Sequence, residues 1–193
     1  YEVADGVGLD SRIERSFLDS GAGFGGSCFP KDVRAVASFM EEQGLKARIL
    51  NDTINVNEDQ KTKLVEQLEN HYPDLSGKKI AVLGLSFKPG TDDIRQSPAI
   101  DIISELKEKG AEVKAYDPKA IDNMREKHPD IDYTSSYEEA LIDTDAGLIV
   151  TEWEKFNSIS RENLKTMNKA LILEGRRMDY NIDEEDREGV TWP

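Results

Sequence analysis

The sequence predicts an α/β protein in two parts, a helical domain over residues 1–72 and a parallel-sheet domain over residues 73–193. Up to residue 72 the apolar residues mostly recur at helical spacing. From Lys78 onwards, short apolar runs typical of strands buried on both faces alternate with helical stretches. Strands that alternate with helices indicate a parallel sheet covered by helices, so the second domain is expected to be Rossmann-like.

The helical domain is expected to contain one irregular interruption. Residues 11–18 have the spacing of a short amphipathic helix, and four glycines within residues 21–26 then break the pattern. Helical spacing resumes after Pro30 and is expected to stop at Gly44. The apolar residues of this helix recur at i, i+3, i+4 and i+7: Val33, Val36, Ala37 and Met40.

A longer helix is expected over residues 47–71, with Pro73 and Gly77 ending it. Its first half contains three poor helix formers: Asn51, Asn55 and Asn57. We therefore expect packing against another helix or another subunit to stabilise it, which favours a homodimer or a higher homo-oligomer.

Four strands are expected in the sheet domain, over residues 80–83, 112–116, 146–151 and 170–173. The helices between them are expected over residues 99–106, 137–142 and 161–167. The first of these helices has a clear start, because Ser97 suits the N-cap and Pro98 the first helical position. Unpaired N–H donors at this start could attract an anion.

The composition excludes several classes of protein. The formal net charge of −14 argues against non-specific nucleic-acid binding, because phosphates require a basic surface. No apolar run approaches the ~20 residues of a membrane span and no secretory leader is visible, so we expect no membrane association. The single cysteine excludes an internal disulfide and fits a reducing, cytoplasmic compartment.

Cys28 follows the four glycines and precedes Pro30, where a helix is expected to begin. A thiol at a helix N-terminus lies near unpaired N–H groups and the positive end of the helix dipole, which stabilise the thiolate. Lys31 adds a cation, and Asp32 lies one turn further on the same face, where a carboxylate can deprotonate water. The pattern favours a reactive cysteine, although free cysteines are often simply buried.

Two segments resemble signatures of the UDP-glucose/GDP-mannose dehydrogenase family. Residues 23–33 read GFGGSCFPKDV, which is similar to its active-site motif, and residues 80–95 read IAVLGLSFKPGTDDIR, which is similar to its nucleotide-sugar loop. Three shorter motifs follow in the family's order: Tyr116-Asp-Pro-Lys, Thr151-Glu-Trp and Gly175-Arg-Arg. The resemblance covers essentially the whole chain, and it implies that the second domain binds a UDP-sugar.

The resemblance implies oxidation of the C6 alcohol of a nucleotide sugar to a carboxylate, by two hydride transfers to NAD. Cys28 matches the nucleophile that holds the intermediate, first as a thiohemiacetal and then as a thioester. Asp32 matches the acid that activates water, and Lys31 matches the lysine near the cofactor and the reacting carbon. UDP-glucose is the expected substrate and UDP-glucuronate the product, with GDP-mannose as the alternative substrate.

The same resemblance implies two sets of ligand-binding residues. The nucleotide sugar is expected to contact Phe24, Gly25, Phe29, Lys88, Arg176 and, from a neighbouring subunit, Arg12. NAD is expected to contact Lys31 and Arg95. Without the motifs, the lysines and arginines would ordinarily be interpreted as solvated surface charges and Phe24 as a core aromatic.

The family's N-terminal NAD-binding Rossmann domain is expected to be absent, because no dinucleotide fingerprint precedes Tyr1. Gly84-Leu-Ser-Phe does not match the Gly-x-Gly-x-x-Gly fingerprint of a dinucleotide-binding turn. Tyr116-Asp-Pro is expected to shape the end of the strand over residues 112–116. The chain alone is therefore expected to bind NAD weakly and to turn over negligibly.

An alternative to the enzyme is a nucleotide-sugar-binding dimerisation module without chemistry. Retention of Cys28, Lys31 and Asp32 together argues against it. His71 and His128 are isolated in polar surroundings, so both are expected at the surface and no metal site is expected.

Overall fold

The computed structural model describes residues 2–180 and 182–190. Within these residues the helices are α1 (Glu2–Gly8), α2 (Phe29–Glu42), α3 (Arg48–His71), α4 (Pro98–Glu108), α5 (Ile121–Lys127), α6 (Tyr137–Leu141) and α7 (Arg161–Leu164). The strands are β1 (Lys79–Leu83), β2 (Glu112–Tyr116), β3 (Asp132–Tyr133), β4 (Ala146–Ile149), β5 (Ile172–Glu174) and β6 (Arg187–Gly189). Two short 3₁₀ helices lie at Glu154–Ser158 and Glu184–Asp186.

The six strands form one sheet in the order β3-β2-β1-β4-β5-β6, and every neighbouring pair is parallel. The chain moves outward from β1 to β3 and then returns to the other side of β1. The direction of winding therefore reverses between β1 and β4, and sheets of this kind bind ligands at the carboxyl ends of the strands there. The predicted α/β class and parallel sheet are confirmed.

Both faces of the sheet are buried, which explains the nearly continuous apolar runs in its central strands. Ile80 and Val82 of β1 join one hydrophobic cluster, and Ala81 and Leu83 join the cluster on the opposite face. The first cluster also contains residues of α3 and α4, including Leu64, Val65, Leu68, Ile102, Ile103 and Leu106. The second half of α3 thus packs on the sheet, and the division of the chain into two domains at residue 72 stays a prediction.

Two strands and one helix were not predicted. The edge strands β3 and β6 have only two and three residues and are polar in sequence, so neither carries the apolar run that identified the four central strands. Helix α5 has seven residues and a single fully buried one, Met124, so its periodicity is weak.

The helix predicted over residues 11–18 is wrong. The segment forms turns, and Glu14 and Phe17 have φ angles of 63° and 65°, which a right-handed helix does not allow. Its apolar residues Ile13 and Phe17 are exposed, so no core contact stabilises the predicted helical face. Instead, Arg15 forms ion pairs with Asp5 and Asp19 across the bend.

The predicted start of α4 is confirmed. Ser97 is the N-cap, and its Oγ accepts a hydrogen bond of 3.3 Å from the backbone N–H of Ala99. Ser97 and Ala99 are both fully buried, so this helix start does not offer its N–H groups to an anion in solvent.

His128 is buried, which corrects the expectation of a surface position. It ends α5 as the C-cap, and its Nε2 has no hydrogen-bond partner among the residues that the structure describes. Burial, together with the nearby Lys107 ammonium, lowers the pKa of His128 below its ordinary value of 6.5.

Replacing Ser97 with alanine should lower the free energy of unfolding by about 1 kcal/mol, because the N-cap hydrogen bond is lost. Urea denaturation followed by circular dichroism measures the change. Ser104→Ala in the same helix is the matched control, since the Ser104 hydroxyl bonds only to the backbone carbonyl of Ile100. The control should change stability by less than about 0.5 kcal/mol, and an equal loss in both variants would contradict the capping role.

The His128 ring should make the protein sensitive to mild acid. Because its folded-state pKa lies below its unfolded-state pKa, the unfolded chain binds the proton more tightly. Its contribution to stability is therefore complete above pH 6.5 and falls as the pH drops from there toward the lowered pKa. His128→Gln should show a flatter loss of unfolding free energy below pH 6.5, while measurements at pH 8 isolate the packing change. Parallel pH profiles for the two proteins would contradict this account.

Candidate active site

The candidate site lies where three segments meet: the glycine loop (residues 21–26), the start of α2, and the β1–α4 loop (residues 84–97). The backbone N–H of Gly26 donates a hydrogen bond of 2.8 Å to the carbonyl of Arg95. A Cβ atom on Gly25 would lie 2.2 Å from the carbonyl oxygen of Gln96, so only glycine allows this approach of the two backbones. This contact holds the glycine loop against the β1–α4 loop, which begins at the carboxyl end of β1.

Cys28 is an exposed free thiol at the N-cap position of α2. Its carbonyl accepts the N–H of Asp32 at 2.8 Å, and the Ser27 hydroxyl lies 3.7 Å from its sulfur. The side chains of Lys31 and Asp32 are both exposed and form an ion pair of 3.4 Å. The structure therefore gathers the predicted group of Cys28, Lys31 and Asp32 on one solvent-facing helical turn.

Asn57 of α3 binds the backbone of the glycine loop at Phe24. Its Oδ1 accepts the backbone N–H of Phe24 at 2.7 Å, and its Nδ2 donates to the Phe24 carbonyl at 3.1 Å. The Phe24 ring meets the Phe29 ring edge to face, with 4.6 Å between their centroids. The sequence identified Asn57 only as a poor helix former, because its partner lies 33 residues away and no local pattern links them.

Arg176 supports the first part of the glycine loop. Its guanidinium donates to the carbonyls of Asp19 and Gly23, at 3.2 Å and 3.0 Å, and lies 3.6 Å from the Glu152 carboxylate. This predicted substrate-binding residue thus lies beside the loop that carries Phe24 and Gly25.

The β1–α4 loop carries two exposed cations, Lys88 and Arg95. Lys88 lies over the Phe87 ring, with 5.5 Å from Nζ to the ring centroid. Arg95 hydrogen-bonds to the Asp93 carboxylate, which raises the pKa of Arg95, and the charge of Cys28 raises it further. Arg95 and Cys28 are therefore close enough to interact electrostatically.

Arg34 is a further residue of this region that sequence reasoning missed. It donates to Gln96 in the β1–α4 loop at 2.9 Å and to Glu58 in α3 at 2.8 Å. The side chain thereby joins α2 to both neighbouring segments. A lone arginine on an amphipathic helix gives no sequence signal for such a role.

Arg12 lies apart from this group. Its exposed guanidinium binds the Asp10 carboxylate at 2.6 Å, and these hydrogen bonds hold the pKa of Asp10 at about 2. The exposure leaves Arg12 accessible to a second molecule.

The turn after β1 does not fit a dinucleotide. Asp117 follows β2, where such folds place the acid that binds a ribose hydroxyl. Its carboxylate is buried and both of its oxygens accept N–H groups of the protein itself. By contrast, Lys31 and Arg95 are exposed cations beside Cys28, and their chemistry fits the pyrophosphate of NAD.

Among the residues that the structure describes, no helix is both long and apolar enough to cross a membrane. No cluster of three or more potential metal ligands occurs in that part of the chain either.

Comparisons with known proteins identify the family of the chain. Two family models match the chain: the UDP-glucose/GDP-mannose dehydrogenase central domain over residues 1–59, and the UDP-binding domain of the same family over residues 81–179. The chain belongs to the UDP-glucose/GDP-mannose dehydrogenase family.

Curated relatives include a UDP-glucose 6-dehydrogenase of Haloferax volcanii, which is 46% identical over 98% of this chain and 44% of the relative. A UDP-glucose 6-dehydrogenase of Bacillus subtilis is 42% identical over 99% of this chain and 42% of the relative. The chain thus spans less than half the length of these relatives.

Solved structures of the family have the same fold. A UDP-glucose dehydrogenase of Pyrobaculum islandicum matches with a TM-score of 0.88 and 35% identity, over 100% of this chain and 44% of that one. A GDP-mannose dehydrogenase of Pseudomonas aeruginosa matches with a TM-score of 0.80 and 26% identity, over 99% of this chain and 45% of that one.

Gly25→Ala should separate the glycine loop from the β1–α4 loop, because the added methyl group overlaps the Gln96 carbonyl. We expect a loss of about 1–3 kcal/mol of unfolding free energy, together with a changed rate of Cys28 alkylation. Gly6→Ala is the matched control, since a Cβ atom there meets nothing within 4 Å. The control should be neutral or stabilising by up to about 1 kcal/mol. Unchanged stability and labelling in Gly25→Ala would show that the two backbones do not approach so closely.

Proposed function

We propose that this chain is the cysteine-bearing and nucleotide-sugar-binding part of a dehydrogenase that oxidises UDP-glucose to UDP-glucuronate. The observation that carries the proposal is the exposed Cys28 at the start of α2, with Lys31 and Asp32 on the same turn. The names of the curated relatives support the choice of UDP-glucose.

In the proposed mechanism the Cys28 thiolate adds to the C6 aldehyde of the sugar. The C–S bond forms as the C=O double bond opens, and the carbonyl oxygen takes a proton from water to give a thiohemiacetal. NAD, when bound, supplies the oxidising power by accepting a hydride in each of the two oxidation steps. The second oxidation leaves a thioester on Cys28. Asp32 then takes one proton from the attacking water, the C–S bond breaks, and the Cys28 thiolate leaves. The carboxylic acid that forms releases the second proton to solvent and becomes the carboxylate.

The nucleotide sugar is proposed to lie along the glycine loop. Phe24, Gly25 and Phe29 would contact it from the cysteine side, while Lys88 and Arg176 would contact it from the sheet domain. The two cations suit the diphosphate because both follow carboxyl ends of strands, β1 and β5, where sheets of this kind bind ligands. Lys31 and Arg95 are proposed to bind NAD next to Cys28.

Residues 1–72 are proposed to form the domain through which the protein assembles into a homodimer or a larger homo-oligomer. The helices of this part expose apolar side chains, which include Val36, Phe39, Ile49 and Val56. Such a surface is costly to leave in water and favours association. The exposed Arg12 is then proposed to reach the substrate of the neighbouring subunit. Because the mechanism requires a free thiol, we also propose a reducing, cytoplasmic location.

The test is protection of Cys28 by the substrate. Because the chain has one cysteine, alkylation followed by mass spectrometry reports on this residue alone. At ten times its Kd, UDP-glucose should slow alkylation by about tenfold, since only the unbound fraction reacts. Cys28→Ser, which removes the label, is the control.

Each alternative predicts a different result in the same assay. Protection by GDP-mannose and not by UDP-glucose would overturn the choice of substrate. If calorimetry shows that UDP-glucose binds while Cys28 is not alkylated, the result favours the nucleotide-sugar-binding module without catalytic activity. If UDP-glucose does not bind, the proposed function is wrong.

A further inference from the structure

Asp117 is a buried carboxylate that the proposed mechanism does not use. It directly follows β2 and is 1% exposed. Its Oδ1 accepts the backbone N–H groups of Lys119 and Ala120, each at 2.8 Å. Its Oδ2 accepts the backbone N–H groups of Leu85 and Ser86, at 2.7 Å and 3.1 Å, and the Trp153 indole N–H at 3.0 Å. One oxygen thus holds the turn after β2, and the other holds the turn after β1.

The second set of bonds extends toward Lys88. The Ser86 hydroxyl lies 3.2 Å from Asp117 Oδ2 and 3.0 Å from the carbonyl of Lys88, so its single hydrogen can serve either acceptor. The Ser86 carbonyl accepts the Thr151 hydroxyl at 2.6 Å. The backbone that leads into Lys88 is therefore fixed on both sides, although Lys88 itself is exposed.

The same segment reaches the glycine loop through Phe87. A Cβ atom on Gly26 would lie 2.8 Å from the Phe87 ring, so the ring fills the space over this glycine. Gly26 also has a φ of 87°, which suits glycine. Because Gly26 lies two residues before Cys28, a chain of contacts runs from Asp117 through Ser86 and Phe87 to the cysteine.

We propose that Asp117 is a positioning residue of the nucleotide-sugar site. By holding the turn after β1, it sets the place of Lys88 on one side of the ligand and of the glycine loop with Cys28 on the other. The inference rests on the proposed function, because it concerns the same ligand. It also explains why an acid at the strand position that commonly binds a ribose is closed to a dinucleotide here.

Asp117→Asn tests the inference with little change in shape. An amide accepts through one oxygen only, so its nitrogen must face N–H donors on one side or the other. Amide hydrogen exchange on the 193-residue chain without ligand should then show reduced protection at the hydrogen-bonded amides of the two loops, which are those of Gly26, Leu85, Ser86 and Phe87. The amides of β1 should keep theirs, because the strand does not bond to Asp117. Loss of protection across the whole sheet would reduce Asp117 to a general stabilising group and overturn the inference.

UDP binding provides the second measurement. Calorimetry should show the Kd for UDP rising by about tenfold in Asp117→Asn, which corresponds to the loss of about one well-placed hydrogen bond to a charged group. Thr144→Val is the matched control, because its buried hydroxyl bonds to the Leu141 carbonyl at the opposite end of the sheet. The control should leave the Kd for UDP within about twofold of wild type, and equal weakening in both variants would overturn the inference.

Two further outcomes can be told apart: a variant that does not fold, and a wild-type chain that does not bind UDP. If Asp117→Asn does not fold, Ser86→Ala removes only the hydroxyl that joins Asp117 to Lys88 and should still weaken UDP binding. Unchanged affinity in Ser86→Ala would count against the positioning role. If the wild-type chain does not bind UDP, the proposed function fails, while the exchange measurement, which uses no ligand, still decides whether Asp117 holds the two loops.

Discussion

The close approach of two backbones, the glycine loop and the β1–α4 loop, is the constraint on which the candidate site depends. Gly25 lies against the Gln96 carbonyl at a distance that admits no side chain, and Gly26 donates to Arg95 in the same contact. These bonds join residues about 70 positions apart in the sequence, and so they join Cys28 to the end of the sheet. Without the contact, the glycine loop that precedes Cys28 would lose its backbone connection to the β1–α4 loop, and the cations of that loop would be placed less precisely relative to the thiol.

Helix α3 is the rigid element that makes the contact possible. Its second half places Leu64 and Leu68 in the core cluster on the sheet, while Asn57 in its first half brackets Phe24. Because the second half of this 24-residue helix is packed into the core, the helix has few ways to shift relative to the sheet. The position of the glycine loop is thus set by the hydrophobic core, and Arg34 adds a second connection from α2 to Glu58.

The parts of this arrangement that could be predicted from the sequence are those formed by residues close together in the chain. The four central strands and helices α2, α3 and α4 were predicted, because buried strands and amphipathic helices carry their own apolar patterns. The edge strands lack such patterns, and the helix predicted over residues 11–18 fails because its apolar side chains have no core to enter. The exposed turn of Cys28, Lys31 and Asp32 was predicted for the same local reason, since neighbours in sequence are neighbours on a helix. Asn57, Arg34 and the Asp117 network join distant segments, and only the fold reveals them.

The sheet has the strand order of a dinucleotide-binding fold, but its β1 turn has different chemistry. Where a dinucleotide would need a free carboxylate at the end of β2, both oxygens of Asp117 bind the protein's own N–H groups. The start of α4 is likewise closed to an anion, because Ser97 accepts the N–H of Ala99 and both residues are buried. Both of the usual anion and ribose positions are therefore occupied by internal hydrogen bonds. The exposed Lys88 and the partly exposed Arg176 follow the carboxyl ends of β1 and β5, and Arg176 donates a hydrogen bond to the glycine loop. In the proposed function a diphosphate bound by these two cations lies beside the glycine loop that precedes Cys28, so the closed turn after β1 leaves the substrate on the side of the thiol.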